Sequence, residues 1–223
     1  MDLNVIYEDN HLIVVEKPAG ILSQADNTND IDMLTLIKNY LKIKYQKPGN
    51  VFVGLVHRLD RMTSGVMVFA KTSKAASRLS EQIRNRKLTK KYYAIIKGIV
   101  PISGEFKDYL FKDENIKKSI ISDEENGKFA HLKFDRIAIN NNCSLVDVEL
   151  LTGRYHQIRA QFGYRKFPLI GDCLYGYEGI HPLMLHSYYI SFYHPISKEF
   201  VEFCIYPNTK AWLNYFSLDI LQK

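Results

Sequence analysis

Val66-Met67-Val68-Phe69-Ala70 runs without a break into Lys71-Thr72-Ser73-Lys74-Ala75-Ala76-Ser77-Arg78-Leu79-Ser80-Glu81-Gln82-Ile83, and the fold reading turns on this stretch. Five consecutive apolar residues read as a buried strand. Thr72 and Ser73 are good N-cap types, and beyond them Ala76, Leu79 and Ile83 share one face of a helix. Strand-like runs recur at residues 11–15, ended by the turn signal Lys17-Pro18-Ala19-Gly20, at 51–53, and at 92–96, closed by Gly98. A helix is expected over 30–45, where Met33, Leu34, Ile37, Tyr40 and Leu41 follow helical spacing behind acidic capping candidates. Strands near 131–139 and 144–151 flank the polar turn Asn140-Asn141-Asn142. A short helix is expected from Arg154 to Gly163, with the glycine as its C′ residue, and the last strands near 185–192 and 199–205. Strand runs outnumber helices and do not alternate strictly with them. The expected fold class is therefore α+β, a mixed, largely antiparallel β-sheet with flanking helices and loops. No repeat, low-complexity tract or linker forces a cut, so residues 1–223 read as a single domain.

Composition narrows the class. With 46% hydrophobic and 24% charged residues, extended disorder is excluded. No apolar run approaches the roughly 20 residues that cross a bilayer. Met1-Asp2-Leu3-Asn4 lacks the basic start and apolar core of a secretory leader. Cys143, Cys173 and Cys204 are odd in number and far apart, which fits free thiols in a reducing, cytoplasmic setting; Cys173 reads as a small buried filler. The net charge is +6, yet residues 105–125 carry seven acidic and four basic side chains, so the positive charge is concentrated elsewhere. Arg84, Arg86, Lys87, Lys90 and Lys91 fall within eight residues, with Lys71, Lys74 and Arg78 just upstream and Tyr92-Tyr93 just after. Such a cluster suits a polyanion with faces to stack on, although charge runs are more often solvated faces.

The densest polar stretch is His57-Arg58-Leu59-Asp60-Arg61-Met62-Thr63-Ser64-Gly65, placed between two apolar runs. Asp60 is its only carboxylate, and Arg58 and Arg61 on either side favour an ionised nucleophile or base. The plainer reading is an Asp that caps a turn. Ser64 is no hydrolase nucleophile, because Met62 stands where the elbow motif needs glycine. His57, His156 and His186 match no common zinc spacing, and no metal is expected.

The order of residues decides between these readings. His57-Arg58-Leu59-Asp60, then Thr63-Ser64-Gly65, then Ala70-Lys71, resembles the central motif of the RluA family of pseudouridine synthases. The opening run from Val5 through Lys17-Pro18-Ala19-Gly20 resembles that family's first strand and turn. Lys90-Lys91-Tyr92-Tyr93-Ala94 with Gly98 resembles its tyrosine motif, and Thr152-Gly153-Arg154-Tyr155-His156-Gln157-Ile158-Arg159 its basic motif. Gly171-Asp172 with Tyr175-Gly176, and Leu185-His186 with His194-Pro195, resemble its C-terminal signatures. The basic motif departs from the family at Tyr155, where Thr or Ser is usual, and at Ala160-Gln161, where Val-His is usual.

The resemblance implies a pseudouridine synthase fold with a central RNA-binding cleft. It also implies cofactor-free isomerisation of uridine in rRNA or tRNA stem-loops, and a monomer is expected. The matched pattern starts near residue 3, leaving no place for a separate N-terminal S4 domain before it. Asp60 is marked as catalytic, either attacking C1′ or taking the C2′ proton. Tyr92 is implied to stack on the base and assist loss of the C5 proton. Tyr93 is its neighbour on the opposite strand face. Arg159 is implied to pair with the carboxylate, with Arg154 as the alternative cation. Arg58 is the candidate wedge for a vacated base stack or, equally, a phosphate clamp. Arg61, Lys71, Arg84, Arg86, Lys87 and Arg154 are the remaining RNA-binding candidates, while Ile158 and Leu185 are candidates to line the pocket. The rival reading is a non-catalytic RNA-binding module on the same fold.

Overall fold

In the computed structural model, which describes residues 3–28 and 30–222, the apolar run forms β4 (Ser64–Ala70), antiparallel to β2 (Leu12–Lys17) with Val14 opposite Val68. The reading of Met1-Asp2 as no leader lies outside the described residues. Both faces of these two strands are buried, which is why they read as continuous apolar runs rather than alternations. Leu12, Val14, Val66, Val68 and Ala70 pack against Ala75 and Leu79 of α2 (Ser73–Arg84). Burial of Leu79 alone contributes about 1.5–3 kcal/mol. The helix starts where its sequence says it should, since the Thr72 hydroxyl accepts the Ala75 amide at 3.2 Å. In α1 (Met33–Lys44), Asp32 accepts the Thr35 amide, and Met33, Ile37 and Leu41 form the buried stripe.

These elements belong to the first of two compact units, which runs to Thr89 and takes in Ser187–Ile205. Its strands also include β1 (Val5–Glu8) antiparallel to β2, β3 (Gly54–Leu55) antiparallel to β4, and β10 (Leu185–Tyr193) beside β4 with β11 (Phe200–Cys204) antiparallel to it. The strand expected at 51–53 does not form. Gly54 already pairs with Ala70, the last residue of β4, so the preceding residues run past the end of their partner. Gly65 enters β4 at φ +121°, and a Cβ there would lie 2.1 Å from the Ser187 carbonyl oxygen, so only glycine fits.

The second unit comprises Lys90–His186 and the segment from Tyr206 onward. Its strands lie in the order β5 (Thr89–Lys97), β9 (Cys143–Leu150), β8 (Lys128–Asn140), β6 (Ser103–Asp113), β7 (Lys118–Ser122), each neighbour antiparallel. The acidic stretch, for which no element was expected, is the β6–β7 hairpin. Its charges interleave with the apolar positions and are partly met within the hairpin, by Lys107 on Glu105 and Lys112 on Glu114, and partly from outside it, by the fork from Arg165 to Asp108. One face of this sheet is covered by α3 (Gln157–Tyr164), whose Phe162 meets Phe106 and Phe134 at ring distances of 5.0 and 5.3 Å. The opposite face carries Tyr93, stacked on Tyr206 of the terminal segment that holds α4 (Lys210–Leu213) and α5 (Leu218–Leu221).

Three local expectations need correction. Helix α3 begins at Gln157, three residues after Arg154, so Arg154 is not at a helix start. Gly163 lies inside that helix rather than after it. A Cβ at Gly163 would come within 2.8 Å of Tyr175, so the glycine serves packing and not capping. Cys173 is exposed, on the short 3-10 turn Cys173–Tyr175, where its thiol donates to the Gly179 carbonyl. The fold is α+β with mixed, largely antiparallel pairing, as the hydrophobic patterns required. Among the described residues no helix is long and apolar enough to cross a membrane.

Candidate active site

The polar stretch at 57–63 is the connection between β3 and β4, and its backbone is tied down at several points. His57 Nε2 accepts the Val68 amide at 3.1 Å, which requires that nitrogen to be unprotonated. The buried Ser23 hydroxyl donates to the Leu59 carbonyl at 2.7 Å and accepts the Leu59 amide at 3.1 Å, clamping the residue before Asp60. The Thr63 amide closes the turn on the Asp60 carbonyl at 3.0 Å. Beneath the turn lies Lys17, fully buried at the end of β2, whose Nζ donates to the carbonyls of Pro18, Arg61 and Thr63 at 3.0, 3.0 and 2.8 Å. Burial pulls the Lys17 pKa down to about 7, Asp60 pulls it back up, and Arg61 adds to the depression. The three carbonyls match the three N–H groups of an ammonium, which favours the charged form. Sequence reasoning took this lysine for part of a turn signal and missed its role.

Flanking cations take different positions from those anticipated. Arg61 is committed to Asp30 at 2.9 Å and to the Gly20 carbonyl at 3.1 Å. Lys17, not Arg61, is thus the buried cation under the turn. Arg58 is exposed on the loop. Lys71 counts against its reading as an RNA contact: its ammonium lies 2.6 Å from Glu8 and under the Tyr45 ring, with the side chain only 9% exposed. Glu8 also receives Lys44 and the hydroxyls of Tyr40 and Tyr45. These bonds overcome the opposing effect of burial and hold its carboxyl down at about 2. Arg84, Arg86 and Lys87 are all exposed at the C-terminal end of α2 and the turn after it.

In the second unit the register separates the two tyrosines. Tyr92 lies opposite Val148, which lies opposite Phe134, so Tyr92 points to the face covered by α3. It is 5% exposed. Arg159, on α3, makes a two-pronged bond to Asp172, Nε to Oδ2 at 2.8 Å and Nη2 to Oδ1 at 2.9 Å, and its guanidinium lies 5.2 Å over the Tyr175 ring. Asp172 is inaccessible to solvent. The Tyr175 hydroxyl accepts the Ser119 amide and meets His156 Nδ1 at 3.1 Å. Burial, with the nearby Arg159 charge, lowers the His156 pKa to about 3, so this ring is neutral. Gln157 Oε1 accepts both the Thr152 hydroxyl and the Arg154 amide and shapes the loop into α3. Arg154 is exposed, with Nε bonded to the Phe129 carbonyl. Ile158 and Leu185 are each 4% exposed. The roles of Asp172 and Tyr175 were not read from the sequence, although both stand in the quoted signature Gly171-Asp172 with Tyr175-Gly176.

An open groove of about 440 Å³ in this unit is lined by Tyr175 together with Lys97, Asn142, Lys166 and Phe167 among others, and by none of the site residues expected from the sequence. Among the described residues no three His, Cys, Asp or Glu side chains gather to hold a metal ion.

Comparison with known proteins bears on this arrangement. A family model described as RNA pseudouridylate synthase matches residues 11–164, spanning Lys17, Asp60, Tyr92 and Arg159. A relative from Buchnera aphidicola, named ribosomal large subunit pseudouridine synthase C, is 30% identical over 87% of this chain and 64% of its own length. Another from Zymomonas mobilis, named ribosomal large subunit pseudouridine synthase D, is 33% identical over 90% of this chain and 68% of its own. The chain thus spans about two thirds of the length of these relatives. The solved structure of human RNA pseudouridylate synthase domain containing 4 covers 98% of this chain, and the chain covers 93% of it, with a TM-score of 0.79 at 20% identity.

Proposed function

The chain belongs to the RNA pseudouridylate synthase family, in its RluA branch, and on that premise we propose that it isomerises uridine in structured RNA, ribosomal RNA of the large subunit in the first place. In this reaction the N1–C1′ bond breaks, a C5–C1′ bond forms, and the proton lost from C5 is balanced by one gained at N1, so no cofactor is consumed. A uracil within a helix is out of reach and is flipped out at an expense of a few kcal/mol. Asp60 acts at the sugar, Tyr92 stacks on the base, Arg159 supplies the fixed cation, and Arg58 contacts the RNA beside the loop. The exposed Arg84, Arg86 and Lys87 provide long-range attraction for the phosphate backbone.

The observation that carries this reading is the Asp60 turn itself. It is a short connection whose backbone is anchored by Ser23 and by the buried Lys17, which fixes the course of the chain on either side of its single carboxylate. The test is incubation with total RNA from cells lacking the gene, followed by mapping of new pseudouridines. Wild-type protein is expected to add them to large-subunit rRNA, and Asp60→Asn to bind the RNA and add none. New pseudouridine confined to tRNA would replace the substrate, and an inactive wild type would overturn the function.

A further inference from the structure

Most lysine ammoniums in the interior or at its margin have visible partners: Lys17 has three carbonyls, Lys71 has Glu8, and Lys91 has Asp147 at 3.6 Å. Lys90 differs. Its side chain is half-buried, yet it has no hydrogen-bond acceptor or ion-pair partner among the described residues. It stands two residues before Tyr92 on β5, hence on the same face and about 7 Å along the strand. Its Nζ lies over Gly153, 3.4 Å from where a Cβ would sit, and nothing else approaches that position within 4 Å. Gly153 is exposed, so the absent side chain leaves the way to the ammonium open.

The surrounding charges make this a site for an anion. Arg154 follows Gly153 and is exposed, and Arg159 and the neutral His156 stand on the same loop and helix. The nearby carboxylates of β9, Asp147 and Glu149, lie opposite Tyr93 and Lys91 and so point to the other face, while Asp172 is taken by Arg159. Burial with no opposing anion draws the Lys90 pKa down to about 8. An ammonium held in this way gains from a permanent negative charge supplied from outside, and a phosphodiester carries one. A compact ammonium suits a single phosphate oxygen at close range.

Resting on the proposed RNA reading, we infer that Lys90, across the open position at Gly153, receives a backbone phosphate of the RNA strand adjoining the nucleotide that stacks on Tyr92. The probe is a fluorescein-labelled oligouridylate, titrated by anisotropy with the full chain in KCl from about 50 to 200 mM. In Lys90→Met the slope of log K against log salt should shrink by about 0.7–1, the share of one phosphate. Lys90→Arg should restore it, and the single-turnover rate of pseudouridine formation at saturating RNA should stay within about twofold. An unchanged slope in a Lys90→Met protein with wild-type thermal unfolding overturns the phosphate contact, as does a lost single-turnover rate with an unchanged slope, which would place Lys90 in the chemistry. Absence of oligouridylate binding by wild type overturns it as well. Because the binding measurement needs no turnover, a wild type that binds with the Lys90-dependent slope but makes no pseudouridine sinks the functional reading alone.

Discussion

The loop that carries Asp60 and the helix that carries Arg159 are both held rigid, but by opposite means. Asp60's turn is anchored through main-chain carbonyls, by Lys17 below and Ser23 beside it. Arg159 is anchored through its own side chain, gripped by Asp172 and seated on Tyr175. A main-chain anchor sets the path of a turn and thereby where its side chains start. A side-chain anchor sets the direction of one group directly. The first suits a carboxylate proposed to react, and the second a cation proposed to act through its orientation.

The comparison is tested most severely at Asp172. Asp172→Ala removes the fully buried carboxylate that makes a two-pronged bond to the Arg159 guanidinium, and urea denaturation should show a loss of about 3–5 kcal/mol. Lys17→Met should lose less, about 1–3 kcal/mol, because the groups it hydrogen-bonds are neutral carbonyls rather than a fully buried charge. Its rate of pseudouridine formation should nevertheless fall about 10²-fold as the turn shifts. If Lys17→Met lost as much stability as Asp172→Ala while retaining its rate, the distinction between the two anchors would fail.

Acid sharpens the contrast further. His156 in the second unit has a folded pKa of about 3 against 6.5 unfolded, so between those values the unfolded chain binds more protons and stability drops as pH falls from 6.5 toward 3. Glu8 in the first unit has a folded pKa of about 2 against 4.5, so its contribution is intact above 4.5 and is lost only as pH falls from there toward 2. Unfolding free energy measured against pH should therefore lose its slope between 6.5 and 4.5 in His156→Asn, whereas Glu8→Gln should alter it only below 4.5. The smallest effect is expected at the surface. Charge reversal at Arg86 and Lys87, both exposed, should weaken RNA affinity and flatten its salt dependence with stability within about 0.5 kcal/mol.

What was legible in the sequence follows from this difference between anchors. Asp172 stood in a quoted signature, yet its bond to Arg159 was not read from it, because the pairing of two particular side chains is not written in either one. Lys17's partners are carbonyls, which every residue carries, so its role left no trace in the residues it binds. Lys71 misled for a related reason: a lysine in a basic run looks solvated until Glu8, 63 positions earlier, is found beside it. The acidic hairpin escaped notice because interleaved charge hides a strand's alternation, and the strand expected at 51–53 failed because its partner ended first.

By itself the sequence determined the fold class, the cap and buried face of α2, the family, and the identity of the residues proposed for the chemistry, because local propensity, apolar period and motif order are properties of neighbouring residues. Only the tertiary structure decided that Tyr92 rather than Tyr93 faces α3, that Lys17 underpins the Asp60 turn, that Lys71 is consumed by an ion pair, and that Lys90 stands open beside Gly153. Each of these depends on which distant groups share a face or a buried volume, and desolvation and hydrogen bonding act on that proximity, whatever the spacing along the chain.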